Sequence, residues 1–220
     1  MKLQYLGDSK DSFKWDFHDF LVDFLSFERL NIVLMMTPDD GGNHGSSKPS
    51  QYPARPEIIE LCHSLRDNRR LTDLHRLPIV CKSGYAVQLH SEDHIDSGLR
   101  RRVYFDGFSR DTDQVVLVDP DNGFEPQKSY SDKHLLFSEL DSILSQISER
   151  SVVSVFQHFR RKKFEVDFSE IRDKIHSGYS VAVYWHSLMF VLVARSLETR
   201  DQLIRAAEAY ACRRPVKVIT

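Results

Sequence analysis

Short unbroken apolar runs alternate along this chain with segments in which apolar residues recur every three or four positions. The runs Ile32-Val33-Leu34-Met35-Met36, Val115-Val116-Leu117-Val118 and Val152-Val153-Ser154-Val155-Phe156 have the length and β-branching of strands buried on both faces. The spacing of Phe13, Phe17, Phe20, Leu21, Phe24 and Leu25 predicts a helix over residues 12–25, its apolar stripe against a core and Asp16, Asp19 and Asp23 on a solvated face. Further helices are predicted over 57–66, behind Pro56, over 132–148 from Leu136, Leu140, Ile143, Leu144 and Ile147, and around Phe168, Ile171 and Ile175, closed by Gly178. Another is expected around Leu203, Ala207 and Tyr210. Residues 3–6, 77–80, 85–89 and 103–105 read as weaker strands, 181–184 and 189–193 as a late strand pair, and 216–219 as a terminal strand. Such alternation predicts an α/β fold: a mostly parallel, Rossmann-like sheet with helices on both faces and an antiparallel edge hairpin. Residues 1–220 read as one domain, with 1–30 a helical extension packed on it.

Composition narrows the class without naming a partner. With 220 residues, 41% hydrophobic and 28% charged, the chain has a globular balance, and a net charge of -2 does not point to a polyanion. Cys62, Cys81 and Cys212 are odd in number and scattered, which argues for a reducing, cytoplasmic setting over a disulfide framework. The longest apolar run, 181–194, is interrupted by His186 and Ser187 and is too short to span a bilayer, so no membrane partner is expected. The N-terminus turns polar too soon for a signal peptide. Arg100, Arg101 and Arg102 read as surface residues.

Candidate chemistry gathers where buried strands stop. Val115–Val118 hands over to Asp119-Pro120-Asp121-Asn122-Gly123-Phe124-Glu125, a loop of acids, an amide and a turn signal at the end where α/β folds bind ligands. Asp119, Asp121 and Asn122 are therefore catalytic candidates; alternatively Asp119, Asp121 and Glu125 hold Mg²⁺, which relieves repulsion among close carboxylates. A second loop, Thr37-Pro38-Asp39-Asp40-Gly41-Gly42 with His44, also follows a strand, but lacks both G-x-G-x-x-G and the P-loop pattern. A third set, Gln157, His158, Arg160 and Arg161, continues into Lys162 and Lys163. His158 is an acid/base candidate, and the cations with Phe159 and Phe164 suit phosphates and a stacked base. Asp8, Lys10 and Lys14 form a weaker set near the N-terminus, with Lys10 a candidate for substrate binding.

The apolar strand ending in Asp119-Pro120-Asp121-Asn122 resembles motif IV of the class I, Rossmann-like S-adenosylmethionine-dependent methyltransferases that act on nucleic-acid amino groups, where the strand ends in Asp-Pro-Pro-Tyr. The order of elements, from Ile32–Gly45 through Ser151–Phe156 to a terminal hairpin, is similar to that of the small rRNA adenine methyltransferases, with a helix before the first core strand. This likeness implies S-adenosylmethionine near Thr37, Asp39, Gly41 and Gly42, and Asp119 facing the reacting amine. Asp121-Asn122 stands where the family has the Pro-Tyr that packs the target base, and Thr37–Gly45 lacks the family's glycine pattern.

Three readings follow. One is a nucleic-acid-modifying enzyme of methyltransferase-like fold, holding phosphate on Gln157, Arg160 and Arg161. A second is a Mg²⁺-dependent nuclease or phosphodiesterase using Asp119, Asp121 and Glu125. The third is a non-catalytic binding module on the same scaffold.

Overall fold

A computed structural model of the chain describes residues 1–39, 41, 47–91, 94–95 and 99–220, and of residues 99, 100 and 102 the backbone. Helix α1 (Ser9–Phe24) leads into strand β1 (Arg29–Val33). Helices α2 (Pro56–Asn68) and α3 (Leu77–Cys81) precede β2 (Ala86–Leu89), and α4 (Leu99–Tyr104) precedes β3 (Gln114–Val118). The short strands β4 (Gly123–Phe124) and β5 (His134–Leu135) stand before α5 (Phe137–Gln146). The chain continues through β6 (Val152–His158), α6 (Phe164–Arg172), β7 (Tyr179–Trp185), β8 (Leu188–Ala194), α7 (Leu197–Ala211) and β9 (Lys217–Ile219).

Three of the expected weak strands are helical instead. Leu3–Tyr5 is a 3-10 turn, 77–80 lies in α3, and Val103 and Tyr104 end α4. Runs of three or four apolar residues carry no period that separates strand from helix, and Pro78 sits at the start of α3, where its missing N–H costs nothing.

The main sheet has seven strands in the order β2-β1-β3-β6-β8-β7-β9. Pairings from β2 to β6 are parallel, and those of β8 with β6, β8 with β7 and β9 with β7 are antiparallel. It is therefore a mixed sheet, where the sequence suggested a mostly parallel one edged by a hairpin. The reason is local: β7 and β8 are joined by His186 and Ser187, with His186 at φ +51°, so β8 folds straight back and wedges between β6 and β7. Helix α7 then returns the chain so that β9 adds outside β7.

Side-chain alternation splits the apolar residues into two cores. Val115, Leu117, Val152, Phe156, Phe190 and Leu192 face α1, α2 and α7, while Val116, Val118, Val153, Val155, Val191 and Val193 face α5 and α6. Helix α1 lies on β1 and β3 with α2, α3 and α7 around it. That surrounding overturns the solvated acidic face expected there. Asp16 is buried and accepts hydrogen bonds from Arg55 Nε, Arg214 Nε and Tyr210 Oη, each at 2.8 Å. Asp19 is buried too, accepting from Ser83 Oγ and Tyr85 Oη at 2.8 Å and pairing with Arg55. Asp23 is exposed as expected, and so is Phe24, at 43%, although it belongs to the aromatic stripe. Arg101, expected at the surface, is buried: its guanidinium clamps Glu139 at 2.6 and 2.9 Å and donates to His134 O. Among the described residues no helix is long and apolar enough to cross a membrane.

Candidate functional site

The parallel pairing carries the C-terminal ends of β1, β3 and β6 to one edge of the sheet. There Asp119 N–H donates to Val33 O at 2.8 Å, the last rung of the β1–β3 ladder, before Pro120 ends the strand for want of an N–H. The loop beyond is braced from beneath. Gly123 takes φ +89° and packs so closely on Gln157 that a Cβ would strike its amide. Gln157 is buried, accepts from Phe124 N–H at 2.9 Å and donates to His158 O at 2.9 Å. Asn122 N–H donates to Lys133 O and Glu125 N–H to Leu135 O, both at 2.9 Å.

The N-terminal end of α1 meets this loop. Asp8 caps the helix, one oxygen accepting from Lys10 N–H at 2.8 Å and Asp11 N–H at 3.0 Å. Asp11 accepts from Gly7 N–H at 2.7 Å and from Lys14 Nζ at 2.8 Å. Lys14, 3% exposed, also donates to Asp119 Oδ2 at 2.6 Å and lies 5.3 Å from the Phe156 ring centre. Burial works to discharge Lys14, but Asp11 and Asp119 outweigh it and raise its pKa, so the ammonium stays charged. His18, one turn on, is spent internally on Lys14 O at 2.7 Å and Ser154 Oγ at 2.8 Å.

Between loop and helix lies a cleft of about 340 Å³, onto which Asp8, Lys10, Asp119, Asn122 and His158 open. That volume matches a small organic ligand. Burial, with Asp11 adding to it, pushes Asp8 up to about 6. Burial lowers His158 to about 4, with Lys10 contributing, so its imidazole is neutral at pH 7. Among the described residues no hydrogen bond reaches Asp119 Oδ1 or the His158 ring.

Of the residues singled out in the sequence, Asp119, Asp121, Asn122, His158 and Lys10 line this one cleft. Asp121 is already engaged: Oδ1 pairs with the Met1 α-amino group at 3.1 Å and Oδ2 accepts from the Thr37 hydroxyl. Burial would raise its pKa, but that ammonium prevails and holds it low. Gln157 is a brace rather than a cleft wall. Arg160 donates to Phe124 O and Gln157 Oε1 and pairs with Asp167, while Lys162 pairs with Glu170 and Asp167. Arg161 is exposed, at φ +61°. Glu125 accepts from Phe137 N–H at 2.8 Å and opens on a different depression. Asp119, Asp121 and Glu125 therefore do not converge, and among the described residues no group of three His, Cys, Asp or Glu side chains is placed to hold a metal ion.

The loop after β1 is likewise engaged. The Met1 amino group donates to Leu34 O at 3.0 Å and Met35 O at 2.8 Å, and Thr37 N–H donates to Met1 O at 2.8 Å, which fills the gap between the ends of β1 and β3. Asp39 accepts from Gln4 N–H at 3.2 Å, and Gly41 is exposed at φ +67°. Gly42, Asp40 and His44 lie outside the described residues.

Asp11 and Lys133 join the site without having been candidates. The three-residue spacing Asp8, Asp11, Lys14 at a helix start was the available signal for Asp11; for Lys133 there was none. No family model, no curated protein and no solved structure matches the chain.

Proposed function

We propose that the chain is a nucleobase-modifying enzyme that draws a single-stranded or flipped base of a nucleic acid into the Asp119 cleft and acts on its exocyclic amino group. The observation that carries this reading is the state of Asp119: Lys14 holds Oδ2 at 2.6 Å, leaving Oδ1 to accept an amino N–H inside a cleft it shares with Asn122. Such an acceptor draws electron density toward the amino nitrogen and holds it in one orientation. The Asn122 amide can pair with a ring nitrogen, and the neutral His158 can receive a proton. The helix before β1 and the hairpin of β7 and β8 agree with the methyltransferase-like order of elements.

S-adenosylmethionine is the group that this likeness implies, and it would supply a methyl cation equivalent. Of the described residues expected to hold it, Thr37 does not fit: it is bound to Asp121 and Met1, and Met1 fills the gap beside it. The test is calorimetry with adenosine, S-adenosylmethionine and its demethylated product, together with transfer of labelled methyl groups to RNA and DNA. Adenosine is expected to bind, and to bind about three- to tenfold more weakly in Asn122→Ala, whose side chain makes no hydrogen bond among the described residues, the scale of one lost hydrogen bond. A wild-type protein that binds none of the three and labels neither nucleic acid removes the reading.

Asp8 favours a second reading. Asp8 and His158 share the cleft, and between about pH 4 and pH 6 a protonated Asp8 carboxyl and a neutral His158 imidazole would be an acid–base pair suited to phosphodiester cleavage without a metal. It predicts cleavage of single-stranded RNA that survives chelation with EDTA, and intact RNA after prolonged incubation ends it.

A further inference from the structure

The far end of the Asp119–Glu125 loop lines a second depression, of about 470 Å³, together with residues 126–128, the start of α5 and the end of α6. Four cations wall it: Lys128, Arg160, Lys162 and Lys174. Their pairing is unequal. Lys162 is held by Glu170 at 2.6 Å, and Arg160 is tied to backbone and to the buried Asp167 at 3.7 Å. Lys128 and Lys174, by contrast, form no close ion pair among the described residues, although the Glu170 carboxylate feels the charge of Lys174. Lys174 stands 5.3 Å from the centre of the Phe137 ring, which itself stacks on Phe124 at 5.0 Å. Glu125, the remaining acid in the wall, has one oxygen occupied by Phe137 N–H. The depression thus offers two ammonium groups outside any close ion pair over an aromatic floor, with Arg160 fixed beside them.

We propose that this depression binds a backbone phosphate of the nucleic acid whose base enters the Asp119 cleft, with Lys128 and Lys174 as its principal ligands. The inference rests on the function proposed above and deepens it. One loop, with Asp119 at its start and Glu125 at its end, separates the base cleft from the phosphate depression, so both can be engaged by neighbouring parts of one strand. Two cations outside any close ion pair also explain what Arg160 and Lys162 cannot do. Paired internally, those two have little charge left for a ligand, whereas an ammonium outside a close ion pair keeps more of its attraction for an incoming phosphate.

Fluorescence anisotropy with a labelled single-stranded RNA, repeated across a salt series, tests this. For single strands log affinity falls with log salt by about 0.7 per phosphate neutralised. The double variant Lys128→Ala/Lys174→Ala is therefore expected to bind more weakly at low salt and to show a slope shallower by about 0.7 to 1.4. Adenosine, which carries no phosphate, should bind the double variant as it binds the wild type. An unchanged slope and affinity in the double variant overturns the depression as a phosphate site and leaves the base cleft standing. Failure of the wild type to bind RNA overturns it as well, whereas adenosine binding alone decides the cleft. Lys128→Glu/Lys174→Glu, with circular dichroism as the folding control, should abolish RNA binding at physiological salt; if that charge reversal leaves the affinity intact, the proposal is wrong.

Discussion

Lys14 Nζ lies 2.6 Å from Asp119 Oδ2, so a buried cation on the first helix holds the acid at the end of the third strand, 105 residues away. Because Asp11 takes the same ammonium at 2.8 Å, the position of Asp119 is set by the N-terminal turn of α1 as much as by its own strand. The triad carries one negative charge in excess, and the positive end of the helix dipole offsets part of it.

Removing the cation should therefore be costly. Lys14→Met leaves two buried carboxylates facing each other, and urea unfolding should report a loss of about 3 to 5 kcal/mol. Adding Asp119→Leu removes one of the stranded charges, so the double variant should be less destabilised than the two single changes combined. A cost below about 1 kcal/mol for Lys14→Met would mean that the triad is solvated in solution.

Asp8 and His158 act on stability in opposite directions as pH changes. Asp8 has its pKa raised to about 6, so its carboxyl is easier to protonate when folded; that stabilisation is complete below the ordinary value of 3.8 and is lost as pH rises through 6. His158 is lowered from 6.5 to about 4, so the unfolded chain binds its proton first and stability is lost as pH falls from 6.5 towards 4. Asp8→Asn keeps a good N-cap and removes the burial of charge, so it should be neutral or stabilising at pH 8 and should steepen the loss of stability between pH 6 and 4. His158→Gln should flatten that same limb. Chemical denaturation of both variants at pH 4, 6 and 8 checks the signs, and matching curves for all three proteins would refute the assignment.

The brace beneath the loop makes a third case. Gly123→Ala puts a Cβ at φ +89° and against Gln157, and should cost about 2 kcal/mol or more, from backbone strain and overpacking together. Gln157→Ala removes the obstacle along with the Phe124 hydrogen bond. In a double-mutant cycle the two changes should cost less together than the sum of their separate effects, by about 0.5 kcal/mol or more. Additive costs would show that the two residues do not meet.

Much of the site could be read from sequence for a simple physical reason. Asp119 and Asn122 follow a buried strand and His158 ends one, and parallel strands bring such ends to one edge whatever the details of packing. Lys14 was only a weak candidate because its partnership with Asp119 depends on how α1 lies across β3, which periodicity does not encode. Asp16 and Asp19 misled for the same reason: an acid opposite an apolar stripe reads as solvated, and the guanidiniums that bury Asp16 come from Arg55 and Arg214, 39 and 198 positions on. The metal set Asp119, Asp121 and Glu125 looked compact in sequence, yet the left-handed Gly123 turns the chain so that Glu125 faces elsewhere. The reversed half of the sheet was half visible, since adjacent apolar runs announce a hairpin but not the strand it will slip beside.

That last feature sets an order of assembly. Strand β6 ends in His158, but its free edge is covered only when β8, thirty residues later, inserts against it, with Leu188 opposite His158. As the chain leaves the ribosome, everything through α6 can form while the backbone groups of β6 stay open, and β7 has no strand to pair with until β8 arrives, an invitation to mispairing with another nascent chain. The cleft wall at His158 is thus among the last parts to close, and early termination anywhere before β8 leaves a sticky edge beside an unfinished site.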